Sequence, residues 1–383
     1  MLEDIRRELA GLEDKGRLRT LRTISERRGP FVEIEGRRLL NLASNDYLGL
    51  SVGLEPDKIL EILREFGTGA GASRLLSGNH LYYEILEETL RSLYGRPALV
   101  FASGYLANLG VLSGLLGRRD VVFADKLIHA SLIDGLRLSG ATFYRYPHLN
   151  LELLEDLLKE HRSRFRRAVI LTESVFSMDG DFPDLRTLVA LKKRYEAFLI
   201  VDEAHAVGVF GKRGLGLSEE EGLLEEIDVL IGTFGKALGS YGAFVVTHEE
   251  IRRLLISRAR SFIFTTALPP VVVAASLSGL RRAVDMERER RKLREISRKL
   301  RRELRLSRGG LQDEAPIVPV IIGEDRKALE VSKRLFEAGF FAPAIRPPTV
   351  PEGTARLRLS LSASMDWSHL EPLIGTLRSL ACA

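Results

Sequence analysis

Between Ala98 and Val246 the chain alternates short, uninterrupted apolar runs with longer helical stretches, and few folds accept that order. The runs include Ala98-Leu99-Val100-Phe101, Val121-Val122-Phe123-Ala124, Ala168-Val169-Ile170-Leu171, Phe198-Leu199-Ile200-Val201, Val229-Leu230-Ile231 and Ala243-Phe244-Val245-Val246. A strand with one wet face would alternate polar and apolar residues. These runs do not, so helices are expected to cover both faces. The pattern predicts an α/β fold on a mainly parallel sheet. In such sheets ligands bind beyond the carboxyl ends of the strands. Ser103, Glu173, Asp202 and Thr233 all stand just past these runs, so four polar features share one predicted edge.

The octet Gly232-Thr233-Phe234-Gly235-Lys236-Ala237-Leu238-Gly239 follows one of the runs. Glycines let the backbone turn sharply and approach a bound group. Thr233 brings a hydroxyl donor suited to a phosphate oxygen. A lysine held this way can lose its proton and condense with an aldehyde. The octet alone fits a lysine in a flexible turn equally well, so other residues must decide. Asp202-Glu203-Ala204-His205 is the second signal. A carboxylate at a strand end can keep a pyridine nitrogen protonated, and His205 can bond a ring oxygen or a carboxylate. Taken singly, Asp202 also reads as a turn cap and His205 as a buried, satisfied histidine. Ser103-Gly104-Tyr105 opens a helix whose N–H groups suit a phosphate, although Ser103 is also an ordinary N-cap. His129, near another helix start, can stack on a flat ring or simply be half exposed.

The flanks are read as follows. Residues 1–28 form one helix ending in basic residues. Residues 31–34 and 38–42 form a hairpin around Glu35-Gly36. The glycine-rich stretch 67–80 lines a site. It has no Gly-Lys-Ser/Thr, so it is not a Walker A loop, and it follows a helix, so it is not a dinucleotide fingerprint. One long helix runs from 271 to 306, with its second half exposed, and 311–383 is a small α+β unit. The expected division is an N-terminal segment 1–42, a large domain 43–275 and a small domain 276–383.

Several function classes are excluded. The 57 basic and 52 acidic residues leave a net charge of only +5 on 383 residues. The basic stretch 281–305 has no aromatics and many acids, which argues against nucleic acid. Cys382 is the sole cysteine, and the seven histidines lack metal-ligand spacing, so no metal site is expected. No Gly-x-Ser-x-Gly elbow occurs. No run of about 18 apolar residues exists and the N-terminus has no apolar signal core, so a cytoplasmic protein without membrane contact is expected.

The motifs, in order, resemble those of the α-oxoamine synthases, pyridoxal-phosphate enzymes of fold type I. The matching stretches are 43–49, 71–80, Ser103-Gly104-Tyr105, Ile128-His129-Ala130-Ser131, 176–181, Asp202-Glu203-Ala204-His205, Thr233-Phe234-Gly235-Lys236 and Arg346-Pro347-Pro348-Thr349-Val350-Pro351. The last of these, continued through Arg358, is most like the branch that condenses L-alanine with a pimeloyl thioester of CoA or acyl carrier protein.

The resemblance implies pyridoxal 5'-phosphate bound to Lys236, which later moves the α-proton. It implies Asp202 at the ring nitrogen, His129 stacked on the ring, and His205 and Ser177 at polar groups of the cofactor. Gly104, Tyr105 and Thr233 would surround the cofactor, with Thr265 or Thr266 reaching the phosphate of a neighbouring subunit in a homodimer. Arg358 would hold the amino-acid carboxylate near Asn45, and Arg22 and Thr349 would contact substrate. Glycine-using siblings (2-amino-3-ketobutyrate CoA ligase, 5-aminolevulinate synthase) and an aminotransferase on the same fold remain alternatives at this stage. A non-enzyme would be expected to have lost Lys236, Asp202, His205 or His129, and all four are present.

Overall fold

Every residue of the strands Ala98–Phe101, Asp120–Asp125, Val229–Thr233 and Ala243–Thr247 is buried, as uninterrupted apolar runs require. They belong to a seven-stranded sheet in the computed structural model, which describes residues 1–51 and 55–381. Cys382 lies outside the described residues. Across the sheet the strands run Ala98–Phe101, Ala243–Thr247, Val229–Thr233, Phe198–Asp202, Arg167–Glu173, Asp120–Asp125 and Thr142–Tyr146. Ala243–Thr247 is antiparallel to both neighbours, and the other recorded pairings are parallel. The cause is local. The lysine loop between Val229–Thr233 and Ala243–Thr247 is too short for a crossover helix, so the chain returns antiparallel. Gly232 is required in that pair, because a Cβ there would stand 2.2 Å from the Phe244 ring.

The chain divides into two compact units. The larger comprises Leu50–Phe176 and Asp181–Arg290 and holds this sheet. Helix Gly104–Leu115 is apolar nearly all round and buries seven of its residues, so it lies in the interior. It approaches helix Ala130–Ser139 closely at Gly135, where a Cβ would be 2.9 Å from Leu112 and 3.0 Å from the Asn108 carbonyl.

The smaller unit comprises Met1–Gly49, Ser177–Gly180 and Arg291–Ala383. Its first sheet pairs Glu26–Arg28, Phe31–Ile34, Arg37–Asn41 and Phe340–Phe341, and its second pairs Ile317–Gly323, Ala355–Ser360 and Ala344–Ile345. Glu35 and Gly36 both have positive φ, 53° and 71°, the backbone that a two-residue hairpin turn demands.

The expected helices are corrected in three respects. The N-terminal helix ends at Asp14, not near 28, because Gly16 turns the chain with φ 64° and Arg17 is tied to Asp325 at 2.7 Å and to Glu352. The long helix is two, Pro270–Asp285 and Glu287–Glu303, broken at Met286. The Arg290 guanidinium covers the freed carbonyls, donating to Ala283 O and, at 3.3 Å, to Val284 O. The second helix is also not wholly exposed, since Leu293, Ile296 and Leu300 are buried. The partition falls at Gly49/Leu50 and Arg290/Arg291, where the sequence suggested 42/43 and 275/276.

Candidate active site

Strand register brings the carboxylates together. Glu173 and Asp202 are direct partners across the Arg167–Glu173 and Phe198–Asp202 pair, both at their strands' carboxyl ends and both buried. Asp202 uses both oxygens. Oδ1 accepts the Ala204 N–H at 2.9 Å, and Oδ2 accepts from Asn108 Nδ2 at 2.9 Å. The turn that follows puts His205, also buried, with its Nε2 3.0 Å from Lys236 Nζ. The lysine arrives there because the octet is tightly laced. Phe234 N–H donates to Gly242 O at 2.9 Å, Ser240 N–H to Phe234 O at 2.9 Å and Gly239 N–H to Lys236 O at 3.0 Å. Gly239 has φ 67°, and a Cβ there would stand 2.3 Å from the Leu50 carbonyl carbon. The Thr233 hydroxyl donates to Gly242 O at 2.9 Å and accepts the Gly235 N–H at 3.1 Å, so it shapes the same loop.

His129 caps helix Ala130–Ser139, and its ring is reached by a directional chain. Asn108 Nδ2 donates to Ser131 Oγ at 2.9 Å as well as to Asp202. Because the Ser131 N–H donates to His129 Nδ1 at 3.3 Å, that nitrogen is an acceptor, and Ser131 Oγ gives its proton to it at 2.7 Å. That assigns the remaining imidazole proton to Nε2. Desolvation of the ring lowers the His129 pKa below its ordinary value, against the pull of Asp202 and with the push of Lys236, so the imidazole is held neutral. The residue as a whole is exposed, while its ring nitrogen lies in a part-buried contact with Ser131. Tyr105 stands edge-on to it at 6.4 Å and donates to Asp134. Ser103 is the N-cap of Gly104–Leu115, accepting the Leu106 N–H at 3.2 Å. A Cβ on Gly104 would meet nothing within 4 Å.

Burial pushes the Glu173 pKa well above the usual carboxylate range; the charge of Asp202 adds to this and Lys236 opposes it. Burial and the neighbouring carboxylate thus favour the protonated form of Glu173. Among the described residues its Oε1 and the Asn108 Oδ1 are buried without a hydrogen-bond partner. Such orphan atoms call for a missing partner.

The other expected residues fall elsewhere. Thr265 is half-buried and Thr266 exposed, in the loop between helices Arg260–Ile263 and Pro270–Asp285. In the smaller unit, Arg358 Nη1 donates to Asn45 Oδ1 at 3.0 Å and to Ser360 Oγ at 2.7 Å, Nη2 to the Tyr47 hydroxyl at 3.3 Å, and Nε to the Ser177 carbonyl. Arg22 lies over the Phe336 ring at 4.6 Å. It is Arg19 that donates to Thr349 Oγ1, at 3.0 Å. Sequence reasoning assigned no role to Asn108, Ser131, Glu173 or Arg19. Asn108 had a signal: it is the polar residue in Leu106-Ala107-Asn108-Leu109, an otherwise apolar helical turn, and a buried amide needs partners.

Among the described residues no group of side chains is placed to hold a metal ion, and no helix is long and apolar enough to cross a membrane.

The comparisons agree with one another. The family model described as aminotransferase class I and II matches residues 37–377. A relative from Chlorobaculum parvum, described as 8-amino-7-oxononanoate synthase, is 48% identical over 99% of this chain and 98% of its own. One of the same description from Geobacter sulfurreducens is 46% identical over 98% of this chain and 97% of its own. Among solved structures, serine palmitoyltransferase from S. paucimobilis, determined with PLP and myriocin bound, superposes with TM-score 0.91 at 30% identity, covering 99% of this chain and 98% of that one. The chain belongs to the aminotransferase class I and II family and, within it, to the branch of the 8-amino-7-oxononanoate synthases.

Proposed function

We propose that this protein is a pyridoxal-phosphate enzyme that condenses L-alanine with a pimeloyl thioester, releasing carbon dioxide and the free thiol and forming 8-amino-7-oxononanoate for biotin synthesis. The observation that carries the chemistry is the convergence of Lys236, His205 and Asn108-held Asp202 at one sheet edge. The near full-length relatives carry the substrate choice over the glycine-using siblings and over transamination.

The residues fit the cofactor. Asp202, held in place by the Asn108 and Ala204 donors, suits a protonated pyridine nitrogen. The neutral, exposed His129 suits a ring face. The open ground at Gly104, at a helix N-terminus, suits a phosphate. When bound, the cofactor supplies an electron-withdrawing ring that stabilises negative charge at the amino acid's α-carbon. Lys236 Nζ takes and returns the α-proton, and His205 holds that amine in place. Arg358 and Asn45 hold the substrate carboxylate, and Thr349 with Arg19 contacts the acyl donor. Ser177 and either Thr265 or Thr266 complete the cofactor's polar contacts, the threonine across a homodimer interface. The homodimer follows from the family resemblance. The enzyme works in the cytoplasm.

The test is turnover of alanine and of glycine, each with pimeloyl-CoA and with pimeloyl-carrier protein. Product from alanine alone supports the reading, and product from glycine alone replaces it with a sibling activity. A monomer in sedimentation that remains active would remove the interface threonines from the site.

A further inference from the structure

His148 lies outside every role assigned so far, yet it is clamped between two carboxylates. Its Nδ1 is 2.9 Å from Asp125 Oδ1 and its Nε2 is 3.3 Å from Asp181 Oδ1. Asp125 is fully buried at the end of its strand and also accepts the Leu127 and Leu149 N–H groups, each at 2.8 Å. The Phe176 ring stands edge-on to the imidazole at 4.4 Å. Both ring nitrogens therefore face carboxylate oxygens, an arrangement that calls for two donors, which only the imidazolium has. Burial alone would depress its pKa, but hydrogen bonds to Asp125 and Asp181 prevail and push it up to about 9. Glu173 and Tyr146 are both in electrostatic contact with Asp125.

Phe176 and Asp181 have a particular place in the chain. The large unit is interrupted between them, and Ser177–Gly180 belongs to the smaller unit. The Phe176 N–H donates to Asp181 O at 2.9 Å, closing the base of this four-residue strap. His148 thus touches both ends of the base, one through a ring and one through a carboxylate. Within the smaller unit the strap is gripped again. Asp179 Oδ1 accepts from Arg356 Nη1 at 2.6 Å, and a Cβ on Gly180 would be 2.2 Å from Ile317 O. The strap's first residue, Ser177, offers its carbonyl to Arg358 Nε.

We propose that His148 is a positioning residue for amino-acid binding: bridged between Asp125 and Asp181, it fixes the base of the 177–180 strap, whose Ser177 carbonyl orients the Arg358 guanidinium. The proposal rests on the reading of Arg358 as the carboxylate holder. A displaced Ser177 carbonyl would swing a fork whose other donors are held by Asn45, Ser360 and Tyr47, and carboxylate affinity would fall while proton transfer at Lys236 would not.

The test compares the holoenzyme with His148→Gln, which bonds but carries no charge, and with Asp181→Asn, which keeps an acceptor. Both variants are expected to raise the KM for alanine about tenfold while leaving kcat within roughly twofold and the KM for pimeloyl-CoA unchanged. In the wild type the alanine KM should climb toward the His148→Gln value as pH passes about 9, where the imidazolium is lost. Amide hydrogen exchange across 177–180 should be faster in both variants. Unchanged exchange, an unchanged alanine KM, or loss of kcat in step with loss of bound cofactor would each overturn the proposal. If the wild type fails to turn over alanine, the functional reading fails, and exchange alone then decides whether His148 holds the strap.

Discussion

Lys236 Nζ and His205 Nε2 lie 3.0 Å apart, so at most one of the two can carry the proton between them. The lysine donates and the imidazole accepts whenever the amine is charged, which places the remaining ring proton on Nδ1. Lys236→Ala removes the only amine in this contact and is expected to lower turnover by at least about 10³-fold. His205→Phe keeps the packing and loses the acceptor, with an expected loss of about 10²-fold. Steady-state turnover alongside circular dichroism checks both. A folded Lys236→Ala protein with more than a tenth of wild-type activity would refute the assignment.

Asn108 is the residue through which Asp202 and His129 are joined. Asn108→Leu leaves one oxygen of a buried carboxylate without its donor, a loss of about 1.5–3 kcal/mol for a bond to a charged group. Cofactor affinity should fall by roughly 10- to 100-fold, with turnover recovering at saturating cofactor. Equilibrium dialysis against pyridoxal phosphate measures it. Asn108→Asp sets a second negative charge beside Asp202 and should weaken binding further.

Glu173 should tolerate amide replacement. Its folded pKa is raised above the unfolded value by burial and then by Asp202, so its stabilising contribution is complete below the unfolded pKa and is lost as pH rises toward the folded one. Glutamine has no proton to lose. Glu173→Gln is therefore expected to match the wild type in Tm near pH 4 and to exceed it by at least about 2 °C at pH 8, with turnover nearly unchanged. Calorimetry at the two pH values decides. A variant that is less stable at pH 8 would mean the carboxyl is ionised and needed as an anion.

Arg19 is expected to matter more than Arg22 for binding the acyl donor. Arg19 bonds Thr349, while Arg22 lies on Phe336. Arg19→Ala should raise the KM for the pimeloyl thioester about tenfold, and Arg22→Ala should change it less than about twofold. Initial-rate kinetics at saturating alanine separates the two. The reverse ranking would restore Arg22 as the substrate contact.

The local character of a signal decided whether it could be read. The strands were legible because a doubly covered strand must be apolar at every position, and the edge of the site followed because polar residues interrupt those runs at one end. The helix end near 28 and the break at Met286 were misjudged because side chains beyond the local periodicity decide them. Arg17 reaches Asp325, and Arg290 covers carbonyls a turn away. Asn108 meets Asp202 across 94 residues of sequence, and His148 meets Asp181 across 33.

By itself, the sequence determined the sheet, the strand edge where polar residues gather, and the lysine, aspartate and histidines near it, because residue type and short-range spacing carry that information. Only the tertiary structure decided which buried groups meet, why the Glu173 pKa is raised, and which arginine reaches Thr349. Those outcomes depend on distance and dielectric between segments far apart in the chain, and neither quantity exists until the chain has folded.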